Sequence, residues 1–600
     1  MSEPRPDPGS AAEIEAVVRR YLARVARRYV PAAVLLGTLL LIVALVPTVS
    51  PSAQPTGTGN AAVGGAGQRG GAGTAAGGAG PGSLGTTPGA GGPAGAPLDG
   101  GSGAPTGAGG SGGAPAPAVP AAVAPGAAGV TRTGINCAPG VRQFTWSRYA
   151  PICVPAFHGS NGGATGQGVT GTTITLSYRL PNSAQQQAIN ALAGAANISD
   201  SAYVSDLQSY INFFNTQFEL YGRKVVLKTY NGQGDYINED QGQDLAAAQA
   251  DAVTARELGA FGDVTFFLEA SAAYEQDLAS QRVVSFSPVA EPHSWYQQYA
   301  PYEYSVVGPD GSVGIDESAA VVCRRLAGMH AIFSGNTGDT LRNRAFGALY
   351  PENPEYTNEV RQYEQDVGAQ CGLTMHPVVA YSVNIAEYET QAAQAVAQMK
   401  ANGVTTMLCA CDPIFPILLT NAQQQQGYYP EIFTFSFGDP VSRDYNQTAW
   451  SHTVAGGVQF PPLSTTEAYK AFQVGYPGRH PAEWPGASPP YFYVPYYTLL
   501  QVFDALQAAG PDLNATTFER GMFSLPASQP GDVVGGQWVP GNQVFDPVTS
   551  FSLVWWNPNA VSDFDRTKGA YQSCNGGAVY DVRNLAALGD PHQQLSCFGR

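Results

Sequence analysis

The stretch GVTGTTITLSYRLP, Gly168 to Pro181, marks the point where the sequence changes from low complexity to a folded domain. Its central residues, Thr173 to Tyr178, are β-branched, apolar or aromatic, and Pro181 lacks the N–H group that would extend a ladder, so the pattern predicts a strand. Alternating helical and strand-like segments follow. They are helix Ser199 to Tyr221, strand Lys224 to Tyr230, helix Gln241 to Leu258, strand Asp263 to Leu268, a helix from Ser271 and strand Arg282 to Phe286. This alternation predicts a parallel sheet covered by helices, with ligands beyond the carboxyl ends of its strands.

The same alternation continues after residue 308, which predicts a second unit of the same kind. The predicted segments are helix Val313 to Ala327, strand His330 to Ser334, helix Thr340 to Leu349, helix Glu355 to Ala369, strand Leu373 to Tyr381, helix Ala386 to Ala401, strand Thr405 to Ala410, helix Ile414 to Gln426 and strand Ile432 to Ser436. We therefore expect an α/β protein with two doubly wound parallel-sheet lobes and a central cleft between them.

The N-terminal part of the chain predicts a membrane anchor and a tether. Residues 30–49 form an uncharged apolar run of about 20 residues, enough to cross a bilayer, and the arginines within residues 1–29 indicate a cytoplasmic N-terminus. A cleaved secretory signal is the alternative. Residues 50–131 are rich in Gly, Ala and Pro and predict a disordered linker. We expect a single-pass protein of the cell membrane whose folded part is extracytoplasmic.

The cysteines indicate an oxidising compartment. All eight lie after residue 136, and without a Cys-x-x-Cys pair or a histidine cluster they predict no metal site. Proximity in sequence favours three disulfides, which are Cys137–Cys153, Cys323–Cys371 and Cys574–Cys597. We expect residues 132–167 and 571–600 to be a disulfide-containing extension and tail. For Cys409 and Cys411, a redox role, plain burial and an unusual local disulfide are all open.

Four stretches of the sequence together carry a resemblance to a known family. They are GVTGTTITLSYRLP, YINFFNTQFELYGRKVVLKTYNGQGD (Tyr210 to Asp235), TNAQQQQGYYPEIFTFSFGDP (Thr420 to Pro440) and YVPYYTLLQVFDALQAAG (Tyr493 to Gly510). In this order, the chain from residue 168 to residue 557 resembles the type 1 periplasmic binding proteins, in particular the leucine/isoleucine/valine-binding branch of ABC-transporter substrate-binding proteins. The resemblance implies a first lobe of residues 168–308 and 441–540 and a second lobe of residues 309–440 and 541–570.

The resemblance also implies where a ligand would lie. In such proteins, hydroxyl and backbone N–H groups after first-lobe strands hold a carboxylate, and an acidic residue of the second lobe meets an amine. The positions of this sequence that match are Ser271, Ser287 and Asp439. The strand-end rule adds four candidate ligand-binding residues, which are Arg179, Asn336, Tyr381 and Asp412. For these residues an ordinary helix cap or turn is the alternative.

The sequence contains no enzyme motif that we recognise. It has no P-loop, no His-Glu-x-x-His and no Gly-x-Ser-x-Gly, and its seven histidines are scattered. The net charge of −16 argues against a nucleic-acid partner.

We expect a solute-binding protein without a cofactor, which captures a small polar ligand, amino-acid-like or amide-like, by lobe closure for an ABC permease. The alternative is an envelope sensor or scaffold that binds another membrane or cell-wall protein and has a degenerate pocket.

Overall fold

The computed structural model describes most of the chain after residue 122. The described residues are 123–145, 147, 149–182, 200–265, 270–287, 291–305, 310–457, 462–475, 489–525 and 550–599. The predicted membrane segment, 30–49, lies outside these ranges, as does the predicted linker up to residue 122. No helix in the described ranges combines the length and the apolar character that crossing a membrane requires.

A short extension precedes the lobes. Strands β1 (Gly129–Val130) and β2 (Asn136–Cys137) pair antiparallel, so ordered structure begins slightly before the predicted end of the linker at residue 131. A disulfide joins Cys137 to Cys153. The extension is therefore folded back on itself before the first lobe begins.

The sheet of the first lobe has five parallel strands. They are β3 (Thr173–Leu180), β4 (Lys224–Asn231), β5 (Gly262–Asp263), β6 (Val284–Ser287) and β7 (Glu303–Ser305). The strands lie in the order β4-β3-β5-β6-β7 and run parallel throughout. Because the chain moves from β3 first to one side and then to the other, the topological switch point lies between β3 and β5.

The sheet of the second lobe has eight strands. They are β8 (Phe346–Pro351), β9 (Val378–Tyr381), β10 (Thr406–Cys409), β11 (Glu431–Phe435), β12 (Thr453–Gly457), β13 (Ser550–Val561), β14 (Lys568–Ser573) and β15 (Val579–Asp581). The parallel part has the order β9-β8-β10-β11-β12, which repeats that of the first lobe. Strand β13 is antiparallel to β12, β14 and β15. The second switch point therefore lies between β8 and β10.

Helices flank both sheets. The α-helices of the described part are α1 (Asp200–Gln217), α2 (Tyr236–Asp240), α3 (Leu245–Glu257), α4 (Ala272–Ser280), α5 (His293–Tyr299), α6 (Gly311–Val321), α7 (Pro354–Cys371), α8 (Tyr388–Ala401), α9 (Phe415–Gln426), α10 (Asp439–Ser442), α11 (Gln447–Trp450), α12 (Glu467–Gly475), α13 (Pro489–Ala509) and α14 (Ala515–Phe523). Helices α12 to α14 return to the first lobe, where Phe503 of α13 packs on Phe214 of α1 with ring centroids 5.2 Å apart.

Two predicted features of the second lobe differ from the structure. The strand predicted at His330 to Ser334 is absent, and the segment predicted as a helix from Thr340 to Leu349 instead leads into strand β8. Strand β12 pairs with β11, so the second lobe continues past the predicted crossover at residue 440. The tail is also part of this lobe, because strands β14 and β15 both pair with β13.

The two terminal segments pack at the amino edges of the sheets. In the extension, Gln143 Nε2 donates to the carbonyl of Gln217 at 2.8 Å, close to the loop that leads into β4. The Cys574–Cys597 disulfide closes the tail. Within the tail, the carbonyl of Gly589 accepts a hydrogen bond from Arg324 Nη1 at 2.9 Å. Arg324 lies at the end of the helical segment from which the chain leads to the start of β8. These contacts lie at the edges opposite to the carboxyl ends of the strands.

Candidate functional site

The switch point of the first lobe contains a buried ion-pair network around Arg179. This residue of β3 is 2% exposed. Its Nη1 and Nη2 donate to the two carboxylate oxygens of Glu239 at 2.9 and 3.0 Å, and Nη1 also donates to Asp251 Oδ2 at 3.2 Å. Burial alone would lower the pKa of Arg179, but the hydrogen bond and charge of Glu239 outweigh it and raise the pKa above its ordinary value. Arg179 therefore serves the first lobe as an internal ion-pair partner, and its predicted contact with a ligand stays a prediction.

The two candidate serines lie at the same edge of the first sheet. Ser271 is buried and is the N-cap of α4, where its Oγ accepts the N–H of Tyr274 at 3.1 Å. Its hydroxyl also donates to Glu239. Ser287 is the last residue of β6, and its backbone pairs with Ser305 of β7. Ser271 thus has the capping role that the sequence left open, within the network of Arg179.

The switch point of the second lobe is built around Asp412. Its carboxylate oxygen Oδ2 accepts from the hydroxyl groups of Tyr381 at 2.7 Å and Tyr388 at 3.0 Å. The other oxygen, Oδ1, accepts the N–H groups of Ile414 at 2.7 Å and Phe415 at 3.0 Å, at the start of α9. The structure therefore brings together two sequence candidates, Tyr381 and Asp412, and adds Tyr388.

Aromatic stacking fixes the Tyr381 phenol. Its ring lies parallel to that of Phe415, with centroids 3.8 Å apart and an interplanar angle of 8°, and Tyr388 packs edge-on against both rings. The Tyr381 hydroxyl also accepts the backbone N–H of Asp412 at 3.0 Å. Burial raises the pKa of Tyr381, and the charge of Asp412 raises it further, so this phenol stays protonated and donates to the carboxylate.

Residues of the two lobes share one environment next to this cluster. We use the name seam for Tyr236 and Asp240 of the first lobe together with Tyr356, Tyr388 and Asp412 of the second. Burial raises the pKa of Tyr236 well above its ordinary value, and Asp240, Tyr356, Asp412 and Tyr388 raise it further. Burial likewise raises the pKa of Tyr356, to which Asp240 and Asp412 also contribute. Asp240 of the first lobe and Asp412 of the second therefore act on the same phenols, because charges are screened less inside a protein than in water.

A hydrogen bond joins the lobes beside the seam. Gln241, which follows α2, donates from Nε2 to the carbonyl of Val383 at 2.6 Å. Val383 follows β9, the strand that contains Tyr381. The contact places the carboxyl end of a second-lobe strand against the first lobe.

The other two candidates of the second lobe have different surroundings. Asn336 accepts the N–H of Tyr429 at 2.9 Å and donates to Asp339 at 2.9 Å. Because Tyr429 lies two residues before the start of β11, Asn336 lies at the amino edge of the sheet. The strand-end argument for Asn336 is wrong, since the described chain has no strand that ends there. Asp439 begins α10, and its Oδ1 accepts the N–H of Tyr571 of β14 at 3.0 Å. Burial raises the pKa of Asp439, against the hydrogen bond from Tyr571.

Sequence reasoning missed four residues of the seam, which are Tyr236, Asp240, Tyr356 and Tyr388. Tyr356 was hidden because the segment of β8 was predicted as a helix, so the residues after Pro351 were not identified as a strand end. Tyr236 follows the acidic turn after β4 within the quoted stretch Tyr210 to Asp235, and the strand-end rule applied to that turn would have found it.

The two lobes of equal strand order define a two-lobed, doubly wound α/β architecture, the one that the sequence resemblance implies. No family model matches the chain, and no curated protein matches it. The chain is similar to solved structures of ABC-transporter substrate-binding proteins and related receptors. An extracellular ligand-binding receptor from Verminephrobacter eiseniae is 14% identical, covers 68% of this chain and 100% of its own, and has a TM-score of 0.44.

Two further solved structures show the same degree of similarity. A fatty acid ABC transporter substrate-binding protein from Thermomonospora curvata is 15% identical over 69% of this chain and 94% of its own, with a TM-score of 0.46. A substrate-binding protein from Desulfitobacterium hafniense in complex with Leu is 15% identical over 67% and 99%, with a TM-score of 0.43. At these identities and TM-scores the similarity carries no argument about the ligand of this chain.

Proposed function

We propose that this protein is an extracytoplasmic solute-binding protein, tethered to the cell membrane by residues 30–49, that captures a small polar ligand at the seam and delivers it to an ABC permease. The observation that supports this proposal is the contact between the lobes beyond the strand ends, where Gln241 donates to the carbonyl of Val383 at 2.6 Å. Beside this contact, burial raises the pKa of Tyr236, Tyr356 and Tyr388, and Asp240 of the first lobe and Asp412 of the second both raise it further. In doubly wound sheets this edge is where ligands bind.

The chemistry of the seam favours a ligand that carries an amine or amide. The Tyr388 hydroxyl donates its proton to Asp412, so its oxygen remains an acceptor for an N–H group of a ligand. The negative charge of Asp240 and Asp412 attracts a protonated amine, and the faces of tyrosine rings stabilise the same charge. A ligand that contacts both lobes shifts the equilibrium between open and closed arrangements towards the closed one.

The attachment of the tether is compatible with this role. The extension that follows the predicted linker packs at the amino edge of the first lobe, where Arg223 Nη2 donates to the carbonyls of Asn161 at 2.6 Å and Gly163 at 3.0 Å. The described chain thus begins with a segment that packs on the side opposite to the strand ends.

Asp412→Asn should remove at least about half of the ligand-induced stabilisation of the protein. Asparagine keeps a side-chain oxygen that can cap α9, but it lacks the charged carboxylate that accepts hydrogen bonds from the hydroxyl groups of Tyr381 and Tyr388. We expect a panel of amino acids, amides and amines to contain one class that raises Tm, since a ligand at 100 times its Kd stabilises by about 2.7 kcal/mol. For the compounds that raise Tm, we expect the Kd for Asp412→Asn to be at least tenfold higher than for the wild type, measured by thermal shift and calorimetry.

Asp590→Asn is the matched control, because Asp590 is exposed in the tail at the opposite edge of the second lobe. This variant should bind as the wild type does. If no compound of the panel changes Tm, solute binding is refuted and the sensor or scaffold function takes its place. If a ligand binds equally well to Asp412→Asn, the protein binds solutes at another site.

A further inference from the structure

The Cys409–Cys411 disulfide differs from the other three in what it can stabilise. Its cysteines are 2 residues apart, against separations of 16, 48 and 23 for the others. A disulfide stabilises a fold mainly by restricting the unfolded chain, and this effect grows with the length of the closed loop. A bond that closes so short a loop contributes little to global stability, so its effect is on local conformation.

The segment that this disulfide closes leads directly to Asp412. Cys409 is the last residue of β10 and is buried at 2% exposure, and the strand is fixed where Thr434 Oγ1 donates to the Cys409 carbonyl at 2.7 Å. The backbone continues with the N–H of Ala410 donating to Leu349 at 3.0 Å. Cys411 is half-buried and packs on the same apolar core. The disulfide therefore holds the residue adjacent to Asp412 against a fixed strand.

Two hydrogen bonds with Tyr381 fix the position of Asp412, one through its backbone and one through its side chain. The Tyr381 hydroxyl accepts the N–H of Asp412 and donates to its Oδ2. This two-point contact requires the backbone at residue 412 to have one orientation. Freedom at residues 410 and 411 would let that orientation vary, and with it the cap that Asp412 gives to Ile414 and Phe415.

We propose that Cys409–Cys411 is a dithiol-reactive site that controls the orientation of Asp412. A thiolate of an external dithiol attacks the sulfur of Cys411, the less buried residue of the two. The bond between the two cysteines breaks, and Cys409 leaves with the electron pair and takes up a proton. The second thiol of the reagent then displaces Cys411, which gives two protein thiols and one oxidised dithiol, a transfer of two electrons. The product suits its surroundings because a neutral buried thiol behaves as a small apolar group.

Opening of this bond should loosen the seam without unfolding the lobe. In full-length protein titrated with a dithiol, parallel samples would be alkylated for mass spectrometry and analysed by hydrogen exchange. We expect Cys409 and Cys411 to become alkylatable while Tm falls by only a few degrees. In the same samples we expect the amides of Asp412, Ile414 and Phe415 to exchange at least tenfold faster.

The double variant Cys409→Ala/Cys411→Ala should reproduce the faster exchange without any dithiol. Cys574→Ala/Cys597→Ala is the matched control, because it removes the disulfide of the tail and should leave exchange at residues 412–415 unchanged. Exchange that stays at the wild-type rate once both thiols are alkylatable would overturn the proposal. So would opening of the bond only at dithiol concentrations that unfold the second lobe. Neither readout requires a bound solute, so the proposal can fail independently of the solute-binding function.

Discussion

Arg179→Met should destabilise the first lobe by about 3–5 kcal/mol, the cost of leaving buried charges without their partner. The variant retains an unbranched apolar stem but leaves Glu239 and Asp251 without the guanidinium that holds both. We expect a large fall in the Tm of the first lobe, measured by calorimetry, together with faster hydrogen exchange in β3. Arg179→Lys should lie between, because an ammonium group cannot make the two parallel bonds to Glu239.

A matched ion pair at the surface provides the control. Arg583 pairs with Asp581 at 2.8 Å, but 45% of its side chain is exposed, so Arg583→Met should cost at most about 1 kcal/mol. The double variant Arg179→Met/Glu239→Gln should be more stable than Arg179→Met alone, since one uncompensated charge is removed. Equal losses for Arg179→Met and Arg583→Met would show that the buried network does not support the first lobe.

Glu317→Gln should stabilise the protein at pH 8 and leave its stability nearly unchanged at pH 4.5. Glu317 of α6 is buried against Gly456 of β12, and burial raises its pKa from 4.5 to about 8. The folded protein therefore keeps a proton that the unfolded chain releases. The contribution of protonated Glu317 to the free energy of unfolding is fully present below the pKa of the unfolded chain. It is lost as the pH rises through the pKa of the folded protein, at about 1.4 kcal/mol for each pH unit between the two pKa values.

Glutamine cannot ionise, so the residue at position 317 of the variant causes no loss of stability as the pH rises. The stability of Glu317→Gln minus that of the wild type should grow from near zero at pH 4.5 to on the order of 4 kcal/mol at pH 8. The difference between variant and wild type is the quantity to compare, because burial also raises the pKa of Glu303 and Asp504, which changes the stability of both proteins with pH. Glu257→Gln, at an exposed position at the end of α3, is the control and should show no such trend. A constant difference across this pH range would mean that Glu317 is not held protonated in the folded state.

Strand β8 shows where sequence patterns fail. Its residues FGALYP form a short apolar run, and such a run cannot be assigned to helix or strand by its periodicity alone. Pairing with β9 on one side and β10 on the other decides that it is a strand. Because of this wrong assignment, Tyr356 was not considered for the site. Asn336 was misplaced by a separate prediction, the strand His330 to Ser334, which the structure lacks.

Asp412 shows what patterns can supply. It follows a clearly apolar strand and precedes a helical pattern, so its place at a strand end and its capping of α9 both follow from local sequence. Its partners do not, because Tyr381 and Tyr388 are 31 and 24 residues away in the chain.

The sequence by itself determined the alternation of strands and helices, the strand Thr173–Leu180 with which the fold begins, and the polar residues that end several strands. These features are local, because the period of apolar residues within one segment records which of its faces is buried. The tertiary structure alone decided that Arg179 pairs with Glu239 and Asp251, and that Gln241 of the first lobe donates to the carbonyl of Val383 of the second. The order of strands in each sheet and the packing of one lobe on the other set these contacts, and both depend on residues that are far apart in the chain.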